Sequence, residues 1–126
     1  MANNDIKQIL SDAMDIYATL VLVTGNKEKL MEKGATEDMF EVENMSQQRL
    51  REAILKTGEI LDEDPNTGVI TAVLPTGNMN ASRALVVAQH EGNTVHVAAF
   101  FKEGLIKQHG ARQAIDAIRR QLKKKV

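Results

Sequence analysis

The sequence predicts an α+β domain: N-terminal helices, an antiparallel sheet of about four strands built from two β-hairpins, and a C-terminal helix. Three observations carry this. Apolar residues recur at helical spacing from Ile6 to Val21, the apolar period shortens to that of strands after Gly58, and the helical period returns at Ala111. The 126 residues, 1–126, fit one domain. A chain of this length buries about two-thirds of its unfolded surface in a single core.

Ile6, Ile9, Leu10, Ala13, Met14, Tyr17, Leu20 and Val21 place one apolar stripe on the first helix. Asn3 or Asn4 is positioned to cap it, and Gly25 to end it. "KEKLMEK" then forms a short second helix closed by Gly34, and Thr36, followed by Glu37 and Asp38, opens a further helical turn. Asn44 precedes a stronger helix, "MSQQRLREAILK", with Gln47 completing a capping-box-like pair and Gly58 just beyond its end.

"EIL" and "GVITAVL" flank "DEDPNTG", where Asp64 can bond the backbone ahead, Pro65 pre-sets a turn dihedral and Gly68 takes positive φ. The second hairpin joins "ASRALVVAQH" to "NTVHVAAFF" through Glu91-Gly92, which sets Val86 opposite Val97 and Val87 opposite His96. Both faces of this hairpin are apolar. One packs on helices, and the other, with Leu85, Val87, His96 and Phe100, needs a cover that either another helix or, as the preferred reading, a second copy of the chain supplies. The last helix, "ARQAIDAIRRQLKKK", carries Ala111, Ala114, Ile115, Ile118 and Leu122 on one stripe, and Gly110 breaks or re-aims the chain before it.

Composition narrows the function. The chain is 43% apolar with a net charge of -1, an ordinary globular balance rather than a disordered one. Three Phe, one Tyr and no Trp do not make an extended stacking platform for single-stranded nucleic acid. With no cysteine, disulfides, thiolate catalysis and Cys-ligated metals are excluded. The longest mostly apolar stretch, Ile16 to Val23, is too short to span a bilayer, and "MANNDIKQ" lacks the pattern of a signal peptide. The expected setting is cytoplasmic, without membrane, cofactor or metal.

Thr-Gly-Asn occurs twice, at Thr24 and Thr76, but neither copy sits in a phosphate-loop motif, and the second lies between two strand-like runs. Both read as punctuation of secondary structure. Asp62, Asp64 and Asn66 begin like a calcium loop, yet Thr67 and Val73 occupy the positions where Gly and Glu are required. His96, mid-strand, could find Glu103 or Arg83 nearby, but no nucleophile is tied to it and it is read as a packed or interface residue. The cations of "RRQLKKK" complement a helix C-terminus.

Without a catalytic constellation, the expected function is a non-enzymatic protein-interaction module, homodimeric through Leu85, Val87, His96 and Phe100. One alternative is a nucleic-acid-associated protein contacting phosphates with Arg112, Arg119, Arg120, Lys123, Lys124 and Lys125. Another is a small hydrolase or isomerase with His96 as base.

Overall fold

The computed structural model describes residues 5–18, 26–75, 83–102 and 109–123. Among these, four helices and five strands follow one another as α1 (Ile6–Tyr17), α2 (Lys27–Gly34), β1 (Ala35–Glu41), α3 (Gln47–Thr57), β2 (Glu59–Glu63), β3 (Ile70–Pro75), β4 (Arg83–Glu91), β5 (Thr94–Phe100) and α4 (Gly110–Lys123). The strands form a single antiparallel sheet in the order β1-β5-β4-β3-β2. No described helix is long and apolar enough to cross a membrane.

The α+β class stands, with a fifth strand where the sequence suggests a helical turn. Ala35–Glu41 is extended and pairs with β5, Phe40 opposite Val95. Among the described residues it is an edge strand, paired with β5 alone, and Glu37, Asp38 and Glu41 suit an edge because charge there discourages pairing with another chain. Phe40 is the one large side chain it buries.

Caps also differ in detail. Asp5, not Asn3 or Asn4, caps α1, its carboxylate accepting from the Lys7 amide at 3.0 Å. Ser46, not Asn44, caps α3 through its hydroxyl, leaving Gln47 as the first helical residue rather than the third. Asn44 instead takes a left-handed turn conformation, φ 58°. Asn26, the last residue of the first Thr-Gly-Asn, accepts from the Lys29 amide as N-cap of α2. Gly25 and the second copy lie outside the described residues.

The first hairpin turns as its sequence suggests. Asp64 accepts from the Asn66 amide at 2.8 Å, and Gly68 has φ 76°. In the second hairpin the turn residues are Gly92 and Asn93, with Gly92 at φ 59°, and Glu91 pairs with Thr94. Val86 therefore lies opposite Ala99 and Val87 opposite Ala98. The expected register was off by two residues. An even slip preserves which side chains share a face, so the division into two apolar faces survives.

Each face has its own core. Ile70, Ala72, Leu74, Val86, Val97 and Ala99 pack against Leu50 and Ile54 of α3 and Ile115, Ile118 and Leu122 of α4. On the other side Val73, Leu85, Val87, Ala98 and Phe100 pack against Ile6, Leu10, Ala13 and Met14 of α1. Helices on both faces explain why β3 and β4 read as nearly continuous apolar runs.

Candidate functional site

The chain covers its own second face. Leu85, Val87 and Phe100 are each 0% exposed beneath α1, so they offer no surface to a second copy. Of the two expected sources of cover it is a helix, and not the preferred second copy, that lies over this face: the amphipathic stripe of α1 supplies it. His96 is half-buried, opposite Gln89 and Met39, and makes no hydrogen bond or ion pair among the described residues. Arg83 is six residues up β4 from Gln89, about 20 Å along the strand, and approaches Glu59 instead. Glu103 lies outside the described residues.

The basic helix divides. Arg112 donates to Asp38 at 3.1 Å and also approaches Asp116, while Arg119 comes within 3.6 Å of Asp38 and lies 5.3 Å over the Phe40 ring. Arg120 and Lys123 are exposed at the end of α4, and Lys124 and Lys125 fall outside the described residues. Burial pushes the Asp38 pKa up, but the hydrogen bonds from Arg112 and the Met39 amide, with the charges of Arg112 and Arg119, outweigh it and hold the carboxyl below its ordinary value.

A second ion pair braces the first hairpin. Arg51 on α3 donates twice to Glu63, at 2.7 and 2.8 Å, and Gln47 donates to Glu63 and to the Gly68 carbonyl. The hydrogen bonds from Arg51 and then Gln47 lower the Glu63 pKa. Being first in the helix rather than third, Gln47 is free to hold the turn.

Beside this hairpin, on the α1 side of the sheet, lies an open groove of about 290 Å³. The C-terminal half of α1 forms one wall with Ile9, Asp12, Ala13, Ile16 and Tyr17, and the hairpin forms the other with Asp62, Asp64, Thr67, Val69 and Thr71. Ile16 is 71% exposed, more than Met39 or Leu55, the other large apolar side chains left in solvent among the described residues. Asp12, Asp62 and Asp64 meet no cation among the described residues. Sequence reasoning missed this site. The available signal was Ile16 itself, an apolar residue outside the Ile6-Leu10-Met14 stripe, but nothing local places it next to a turn some fifty residues on.

Comparison with family models, curated proteins and solved structures gave no match.

Proposed function

We propose that this chain is a non-enzymatic protein-interaction domain that docks its partner in the groove between α1 and the β2–β3 hairpin. The supporting observation is Ile16: it stands in solvent at the mouth of a groove that also contains Ile9, Ala13 and Val69. Burying one such aliphatic side chain contributes roughly 1.5–3 kcal/mol, so a partner that covers it gains affinity from a small contact. The homodimer expectation has lost the face that suggested it. With Arg112 and Arg119 tied to Asp38, the basic helix is also a weaker platform for phosphates than its sequence implies.

A photo-crosslinking amino acid placed at position 16, and separately at exposed Leu55 on α3, tests the reading in cells. A discrete adduct from position 16 that position 55 does not give is expected. Identical adducts from both positions, or none from position 16, would contradict it.

A further inference from the structure

We infer that the partner's docking element is a cationic amphipathic segment, which sets an apolar side chain against Ile9, Ile16 and Val69 and Lys or Arg groups against Asp12, Asp62 and Asp64. This rests on the groove being the docking surface. It adds what the partner must be chemically.

The charge pattern carries the inference. Some carboxylates on this surface find cations, Asp15 with Lys27 at 3.0 Å, Asp38 with Arg112 at 3.1 Å and Glu63 with Arg51 at 2.7 Å, while scattered ones such as Glu41 and Glu91 pair with none among the described residues. What sets the groove apart is that three carboxylates line its two facing walls, and none of them pairs with a cation among the described residues. Two are fixed without being neutralised, Asp12 by the Gln8 side-chain amide at 3.0 Å and Asp64 by the Asn66 backbone amide at 2.8 Å. Carboxylates on both walls of an apolar groove focus negative potential into it, where cations are attracted more strongly than at an open surface.

Shape decides which cation. The three carboxylates do not converge on a metal-ion site, so the complementary charge has to be spread along a ligand. The groove's 290 Å³ sits at the lower edge of the roughly 300–1,000 Å³ of small-molecule pockets, and it is open to solvent rather than enclosed. It suits side chains laid across it from an extended surface, as an amphipathic helix presents them.

Three synthetic helical peptides with one leucine pattern, and Lys, Gln or Glu at every polar position, provide the test by amide chemical-shift mapping on the intact ¹⁵N-labelled chain. The Lys peptide is expected to shift the amides of Ile9–Tyr17 and Asp62–Thr71, to bind about tenfold more tightly than the Gln peptide and to weaken as salt is raised. Asp12→Asn with Asp62→Asn, which keeps the acceptor used by Gln8 and leaves Asp64 charged, should reduce its affinity most of the way to that of the Gln peptide. Equal binding of the Lys and Gln peptides in the groove would overturn the cationic inference and leave the docking surface standing. Lys-peptide binding that the double variant does not change would overturn it as well. If none of the three peptides shifts the groove amides, both the inference and the docking surface fall.

Discussion

Arg112 donates a hydrogen bond to Asp38 at 3.1 Å, so a residue that looks like part of a basic patch is a strut between α4 and the edge strand β1. The other oxygen of Asp38 accepts from the Met39 amide at 2.8 Å. In an antiparallel ladder alternate residues turn their backbone groups outward, and with Val42 donating to Asn93 the outward set on β1 includes Met39. Asp38 thus anchors the helix and occupies a donor on the open edge.

Removing the strut should cost little but measurably. Asp38→Ala and Arg112→Ala, combined in a double-mutant cycle followed by urea unfolding, should show a coupling of about 0.5–1 kcal/mol, since both side chains remain partly solvated. Strict additivity would mean that the pair contributes nothing.

Acid should weaken the fold through Asp38 and Glu63. Both carboxyls titrate below their ordinary values in the folded chain, so the unfolded chain takes up these protons first as pH falls. Their stabilisation is present above the ordinary carboxylate range, near pH 4, and is lost as pH drops through their folded values. A variant with Asp38→Asn and Glu63→Gln should lose less stability than the wild type between pH 5 and about pH 2 in thermal melts. An unchanged acid limb would contradict this.

Two glycines should respond differently to alanine. A Cβ at Gly110 would overlap the Phe101 ring, so Gly110→Ala should destabilise by about 1–3 kcal/mol through overpacking where α4 begins. At Gly92 nothing lies within 4 Å and the cost comes from the backbone at φ 59°, about 1 kcal/mol. Gly92→Asn should therefore recover part of the loss, because Asn tolerates that conformation. Equal stability of the Ala and Asn variants would show that the turn does not need it.

The legible parts of the fold are those where period and local chemistry agree. The stripe from Ala111 to Leu122 is buried throughout, and Asp64 and Gly68 turn the first hairpin for the reasons their residue types suggest. β1 was not legible because its pattern is that of an edge: Thr36-Glu37-Asp38 opens a helix as plausibly by residue type, and only the partner strand β5 selects extension. The cover of Phe100 depends on where α1 docks, which no local signal states. The groove escaped for the same reason. Asp62 and Asp64 read as a solvated turn until α1 brings Ile16 alongside.

Closure of the second sheet face by the chain's own α1 is the premise from which the groove follows as the docking surface. Its most direct test is the urea unfolding midpoint of the wild type and of Leu10→Ala, each measured over about a hundredfold range of protein concentration. Leu10 is 0% exposed between α1 and the sheet, so its truncation should cost about 2–5 kcal/mol. Both midpoints should be independent of concentration. A midpoint that rises with concentration, together with a Leu10→Ala variant as stable as the wild type, would place the cover in a second chain and contradict it.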